Sequence, residues 1–388
     1  MIRRLGKPAI GMVLLLLLAG CWDIKPIQDT NYMTAIGYDY EDGSYIVYGQ
    51  LLDFANVSKQ EGGKASQPAP VWSGREEGST VIEAMTRLVK SSQQPMFWGH
   101  VSSIVFSERA LRRGIDTYLD GLIRYRELRY TQWVYGTKEP IDRLFAVKPF
   151  FNLSPLASIL HQPEDNYRQR SYIRPIRLHR AVAHLREPGY TMLLPSLGID
   201  AGVWKRDGSN DPKLVIGGVF AIARSKPAVW IPESELTGLR WLEEGTRRSS
   251  VIVSRNGAEA GTVTIERPRV EVSVLPSGGN GKPEFAVRIR GKGNVSELLT
   301  EMDVSEIEKE ASRTIVSEIE RTYAYGRKNG IDLYHLGHEL YRRKFPLWSK
   351  LTRYGESPLT DAVLKSIQAD IRVAHTGMYK LDTVKSDY

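Results

Sequence analysis

The chain has 388 residues, with 53 Lys+Arg against 45 Asp+Glu and a formal net charge of +8. Hydrophobic residues at 41% and charged residues at 25% exclude a disordered or collagen-like chain, and the length suits two or three domains, each with its own core. The single cysteine, Cys21, excludes an intrachain disulfide, a thiolate zinc site and a redox pair.

Arg3, Arg4 and Lys7 precede an apolar run from Ala9 to Ala19, the n-region and h-region of an export signal. The run is too short for a spanning helix, which needs roughly 20 apolar residues. It ends in Leu18-Ala19-Gly20-Cys21, which is similar to the bacterial lipobox. That similarity implies a signal peptide over 1–20, cleavage before Cys21, and covalent diacylglycerol on the Cys21 sulfur. A thiol forms a stable thioether, and small neighbours admit the backbone to a peptidase at the membrane surface. Two acyl chains, at about 0.8 kcal/mol per buried methylene, anchor stably where one is marginal. Loss of Arg3, Arg4 and Lys7 takes the net charge from +8 to +5. The longest later apolar run, Leu214 to Ala223, is far too short to span, so the lipid is the one expected anchor.

Tyr32 to Asp53 reads as a β-hairpin turning at Asp42-Gly43. Ser58 to Pro70 reads as a polar loop. Ser79 or Thr80 caps a helix through Val81, Ala84, Met85, Leu88 and Val89. A strand over Val101–Phe106, a helix over Ala110–Arg126 and a strand over Tyr130–Tyr135 follow. This alternation argues for a sheet covered by helices. Ser154–Leu185 reads as helical with a loop near Gln162–Asp165, and Trp204–Pro212 as a linker or long loop between lobes. Leu214–Ala223 and Ala228–Ile231 read as strands around Ser225-Lys226-Pro227, with a short helix after Pro232. Further on, Val270, Val272 and Val274, then Phe285, Val287 and Ile289, then Ile367, Ala369, Ile371 and Val373 alternate as half-buried strands, the usual sign of an antiparallel sheet. Ile307, Ala311, Ile315, Ile319 and Tyr323 recur every four residues, giving a helix with an apolar stripe that packs on that sheet. The reading is an α+β protein, multi-lobed, with mixed or antiparallel sheets flanked by helices. Its domains are 21–203, a small middle lobe or connection over 204–250, and 251–388.

The chemistry-bearing residues are sparse. His335 and His338, three apart with Glu339 beside them, share a helix face, but the pattern matches neither zinc signature and Gly337 weakens the helix; capping or packing is the better reading. Gly278-Gly279-Asn280-Gly281-Lys282 lacks phosphate-loop spacing, carries Pro283 where Ser or Thr is needed, and reads as a hairpin turn. No catalytic, metal or cofactor-binding residue can be nominated. Arg168, Arg170, Arg174, Arg177, Arg180 and Arg186 form a basic stretch; export argues against nucleic acid, leaving a solvated helix face or a surface for anionic lipid or an acidic partner.

In order, these landmarks resemble the Ger(x)C family, the lipoprotein C subunits of nutrient germinant receptors in endospore-forming bacteria. The resemblance runs from Cys21-Trp22-Asp23 through the Tyr32–Leu52 hairpin, the box Glu77-Gly78-Ser79-Thr80 and Phe97-Trp98-Gly99-His100 to Gly114-Ile115-Asp116. It continues with Leu194-Pro195, Gly217-Gly218-Val219-Phe220, Gly238-Leu239-Arg240-Trp241-Leu242 and Phe345-Pro346-Leu347-Trp348. It departs at Ile24-Lys25-Pro26 and in the Ser58–Pro70 loop. The resemblance implies an α+β fold and a non-enzymatic role beside integral membrane A and B subunits at the outer face of the spore inner membrane. Cys21 is the one functional position it transfers. Trp98, Gly99 and His100 have sufficient structural explanations, and contact with the nutrient is left open.

Two other classes stay open at this point. A solute-binding lipoprotein of an import system needs two similar α/β lobes around a hinge. A lipid-anchored cell-wall hydrolase needs paired carboxylates, a metal or a nucleophile in one cleft.

Overall fold

The computed structural model describes residues 30–52, 70–124, 127–223, 227–276, 282–353, 359 and 362–375. The chain begins with β1 (Asn31–Glu41) and β2 (Ser44–Leu52), paired antiparallel through Asp42 and Gly43. These two sit at φ 48° and 85°, the left-handed pair that a two-residue hairpin turn requires. After β3 (Val71–Gly78), Thr80 caps α1 (Val81–Lys90) by accepting the Glu83 amide at 3.1 Å, and the Glu83 carboxylate returns to the Ser79 amide at 2.8 Å. Then come β4 (Met96–Phe97), β5 (Ser103–Ser107), α2 (Glu108–Arg113) and α3 (Ile115–Arg124). The expected single helix over Ala110–Arg126 is thus two helices, broken at Gly114, whose φ of 116° no helix interior allows. The chain continues through β6 (Trp133–Thr137), α4 (Ile141–Ala146), α5 (Pro163–Gln169), β7 (Ile176–Arg177), α6 (Leu178–Arg186) and β8 (Met192–Asp200). A short ribbon, β9 (Lys205–Arg206) and β10 (Ser209–Asn210), leads to β11 (Lys213–Ile222) and β12 (Val229–Pro232).

Ten strands form one sheet in the order β12-β11-β8-β6-β5-β1-β2-β3, with β4 beside β1 and β7 beside β6. Strand β1 pairs parallel with β4 and β5, β5 with β6, and β6 with β8; the remaining pairings are antiparallel. Every residue of β5 and β6 is buried, because parallel inner strands are covered on both faces. Ile104, Phe106, Val134, Leu194 and Phe220 point to the face carrying α1, α2, α3 and α6. Ala35, Val105, Tyr135 and Leu197 point to the other, under α4. Between those layers lies a buried polar network. His161 Nε2 meets Gln50 Oε1 at 3.0 Å, its Nδ1 meets Ser102 Oγ at 2.6 Å, and Gln50 Nε2 donates to the Phe145 carbonyl at 3.0 Å. Because Gln50 Oε1 only accepts, the His161 proton belongs on Nε2 and Ser102 donates to Nδ1.

The second sheet follows α7 (Leu239–Leu242). It comprises β13 (Arg248–Arg255), β14 (Ala258–Val274), β15 (Glu284–Leu298) and, after α8 (Val304–Lys328), α9 (Leu336–Arg343) and α10 (Phe345–Thr352), β16 (Val363–His375). Ile307, Ala311, Ile315 and Ile319 of α8 are fully buried against Phe285, Val287 and Ile289. Three strands are antiparallel as expected, but β16 runs parallel to β15. That is the geometry a long helical crossover imposes. Inside this domain Arg240, 2% exposed, donates Nη2 to both Glu318 oxygens at 2.9 and 2.8 Å, and Trp241 Nε1 donates to Glu318 Oε2 at 2.6 Å. Burial raises the Glu318 pKa, with Arg240 and Trp241 opposing it.

The fold is α+β, with two unlike sheets flanked by helices. Trp204–Pro212, expected between lobes, is instead a ribbon joining β8 to β11 of one sheet, and the strands expected inside a middle lobe complete that sheet at its edge. Pro163 opens α5 where a loop was expected near Gln162–Asp165. The Ser58–Pro70 loop, the turn at Gly278–Gly281 and Ser225-Lys226 lie outside the described residues, apart from Pro70.

Removing one partner of a buried ion pair leaves the other charge unpaired at a cost of about 3–5 kcal/mol. Glu318→Ala should therefore lower unfolding stability by about that much, measured in denaturant, and Glu318→Gln, which keeps oxygen for Trp241, by less. Burial holds His161 down at about 3 from 6.5. A depressed histidine pKa means the unfolded chain takes up the proton first, so stability is full above pH 6.5 and falls as pH drops toward 3. At pH 5 the penalty from His161 is about 2 kcal/mol. His161→Gln should flatten the stability profile between pH 7 and 5.

Candidate functional site

The turn between α6 and β8 places Tyr190 in a cleft between the two sheets. Gly189 makes this possible: it has φ 70°, and a Cβ there would lie 2.7 Å from the backbone carbon of Gly337. Gly337 in turn approaches the Gly189 carbonyl, at 2.9 Å from its own added Cβ, so the two backbones touch at a pair of glycines. This contact sets the start of α9 against the first domain, and three histidines gather around the Tyr190 ring. His335, in the left-handed region at φ 55°, stacks on it at 3.9 Å and 12°. His184, from the last turn of α6, lies at 4.3 Å on a tilted ring. His338 stands edge-on at 5.3 Å and 73°, and its Nδ1 donates to the Pro188 carbonyl at 3.2 Å.

His335, His184 and Tyr190 are uncharged at neutral pH. Burial, reinforced by His184 and His338, depresses the His335 pKa to about 3. Burial, with Arg180 and Arg174 beside it, depresses His184 to about 4. Burial and then Glu243 raise the Tyr190 pKa to about 12. Part of His335 reaches solvent, but its Nδ1 is buried without a hydrogen-bond partner. The cleft has a volume of about 410 Å³, with Leu193, Val219 and Leu242 beside the rings. Charges stand at its mouth. Arg174 pairs with Glu243 at 2.6 Å and Arg343 with Glu339 at 2.8 Å, while Arg180, Arg342, Glu244 and Glu271 are exposed. The arrangement is a neutral aromatic floor under a ring of mixed charge, suited to holding two domains in register.

His335 and His338 thus face one tyrosine, and among the described residues no group of three or more His, Cys, Asp or Glu is placed to hold a metal. Nothing in the sequence points to Tyr190 or His184, since the two other rings of the group, His335 and His338, lie far along the chain. The only available signal was Gly337 in the middle of a helical pattern. The Ser102–His161 pair is no hydrolase centre: His161 is 6% and Gln50 2% exposed, so no substrate reaches the imidazole or its orienting group. The basic stretch is in part solvated, with Arg168, Arg170, Arg180 and Arg186 exposed, and in part paired. Arg168 pairs with Asp165 at 3.2 Å, Arg170 with Glu233 and Arg177 with Glu164, and Arg177 also covers the Trp133 ring at 3.8 Å. Trp98 is buried in the first core, Gly99 lies under the Phe97 ring, and His100 stands edge-on to Tyr32 at 5.1 Å. Cys21 lies outside the described residues.

Two family descriptions match this chain back to back: a spore germination protein N-terminal domain over residues 23–199 and a spore germination B3/GerAC-like C-terminal domain over 217–377. The chain belongs to the GerAC-like spore germination family. Among its relatives are spore germination protein KC of Bacillus subtilis strain 168, 22% identical over 97% of both chains, and spore germination protein B3 of the same organism, 24% identical over 82% of this chain and 80% of the relative. The crystal structure of the GerBC protein superposes with a TM-score of 0.55 at 14% identity, covering 91% of this chain and all of that one. The GerAC-like fold thus spans both sheets. The boundary between the two family segments, residues 200–216, falls on the ribbon and the start of β11 rather than between the sheets.

A side chain at position 189 must push against the Gly337 backbone. Gly189→Ala should therefore loosen the junction, costing about 1–3 kcal/mol as overpacking does. Limited proteolysis should cut sooner in the 187–191 turn, while far-ultraviolet circular dichroism stays unchanged.

Proposed function

We propose that this chain is the lipid-anchored C subunit of a nutrient germinant receptor, working beside integral membrane A and B subunits to trigger spore germination and catalysing no reaction itself. The observation that carries the reading is the membership of both domains in one germination family, behind an export signal that ends Leu18-Ala19-Gly20-Cys21. Diacylglycerol on Cys21 would hold the protein at the outer face of the spore inner membrane. Among the described residues no helix is long and apolar enough to cross a membrane, which fits an anchor supplied by lipid. From Cys21 to the first residue of β1 the chain reaches at most about 36 Å, at 3.3–3.6 Å per residue, so the folded body stays close to the bilayer. Confinement of that kind raises the effective concentration of the protein toward membrane partners without any new contact. Two unlike sheets, one ten-stranded and one four-stranded, do not form the paired similar lobes of a solute-binding protein.

Cys21→Ala should move the protein from the spore membrane to the soluble fraction and slow nutrient-triggered germination at least tenfold. Normal germination with a fully soluble variant would refute the reading.

A further inference from the structure

We propose that one edge of the first sheet, the end at which β1 begins, lies flat on an anionic lipid surface. The inference rests on the lipid-anchor reading for the tether but stands on its own geometry.

Strand register fixes what shares that edge. Asn31 is tied down there, its amide donating to the Pro95 carbonyl at 3.0 Å and its side chain to Ser92 Oγ at 2.9 Å. Trp72 is level with Leu51 and, through it, with Met33. Phe97 is in register with Tyr32. Tyr130 lies three residues before Trp133, which pairs through Ser103 with the level of Ala35. Three aromatic side chains from three separate segments therefore end at one level, and all are exposed: Trp72 by 66%, Phe97 by 42% and Tyr130 by 45%. Amphipathic rings of this kind collect where a protein meets lipid headgroups.

The same edge carries positive charge. Helix α1 runs back from the far end of β3 and delivers exposed Lys90 beside the Ser92–Asn31 contact. Exposed Arg129 adjoins Tyr130, exposed His179 approaches the Tyr130 carbonyl through Nδ1 at 3.0 Å, and Arg177 donates to the Thr131 carbonyl at 2.7 Å. Glu127 is the exposed acid nearest in sequence, and Glu164 is engaged with Arg177. Cations beside interfacial aromatics suit an anionic leaflet. At the opposite end of the strands Glu41 is paired with Arg109 and Arg75, and exposed Arg113 stands over the Tyr40 ring, so the two ends are told apart by the tether rather than by charge.

A second exposed aromatic group, Phe151 at 83% and Trp204 at 52%, follows the far end of β8. The tether decides between the two. β1 spans about 36 Å at about 3.3 Å per residue, so bringing the far end to the membrane would need the whole ten-residue tether stretched along the strand. The near edge needs no stretching.

The test uses the full-length protein in vesicles of phosphatidylcholine with phosphatidylglycerol, doped with a nitroxide-bearing lipid. Trp72→Cys, Phe97→Cys, Tyr130→Cys and, as the far-end control, Asp207→Cys each carry a thiol-reactive fluorophore. Quenching should be at least threefold stronger at positions 72, 97 and 130 than at 207. Lys90→Glu with Arg129→Glu should reduce quenching at position 72 at least twofold while the protein still floats with the vesicles. Equal quenching at both ends, or stronger quenching at 207, would overturn the proposal. Failure of the anchor reading is separable: the protein mass would then lack the lipid. In that case the same labels in a Cys21→Ala background, with anionic vesicles added, should still be quenched at the near edge, and no quenching there overturns the edge itself.

Discussion

The first sheet cannot bury itself. Val219, Ala221 and Ile231, on β11 and β12, form an apolar face with Ile173 that is closed by Leu236 and by Leu333 from the segment after α8. Nearly everything else about the arrangement follows from this shared patch. A sheet with parallel inner strands needs cover on both faces. Helices from its own segment pack on one face and, on the other, over β1, β5, β6 and the parts of β8 and β11 that carry Leu197 and Leu214. The remaining strip at the β11–β12 end is finished by the second domain. Each buried Val or Ile contributes about 1.5–3 kcal/mol relative to exposure, so a patch of this size holds the domains together without a large interface elsewhere.

That patch also explains the cleft. Where apolar cover ends, at the turn holding Gly189 and Tyr190, the domains meet through backbone and rings rather than through ion pairs. Two neutral histidines and a neutral tyrosine stack there because the surrounding protein makes a charge on any of them costly. The charged groups are kept at the mouth, where water screens them. Arg240 shows the same logic one layer deeper: its guanidinium lies 4.2 Å over Tyr172, a residue of the first domain's chain segment, while its charge is met by Glu318 of α8. The two domains therefore share aromatic surface but keep their buried charges internal.

Local signals were readable in the sequence; distant pairings were not. The β1–β2 hairpin, the Thr80 cap, the α8 stripe and the β14–β15 alternation all follow from spacings of two, three or four residues, and each forms as expected. The break at Gly114 was visible as a glycine, yet the apolar spacing ran through it and masked two helices as one. The direction of β16 depends on α8–α10 crossing over the sheet, a property of connection rather than of pattern. His335 and His338 were legible as a pair on one helix, but Tyr190 supplies their purpose from about 145 residues away. A single sequence carries no trace of such a contact beyond two unremarkable glycines.

The floor of this junction is held by shape and ring stacking, while the Arg174–Glu243 pair at its mouth adds charge, and the two respond differently to their surroundings. Salt screens exposed ion pairs but leaves ring stacking and apolar burial nearly unaltered, so the domains stay in register across ionic conditions. Protonation is different: a charge added to His184 would sit beside Arg180 and Arg174, and one on His335 beside His184 and His338, in surroundings whose burial already disfavours it. The register of the two domains is thus steady against salt and sensitive to acid. The stacked rings of the floor offer almost nothing for an ion to screen, and salt acts on the junction through the Arg174–Glu243 pair at its mouth.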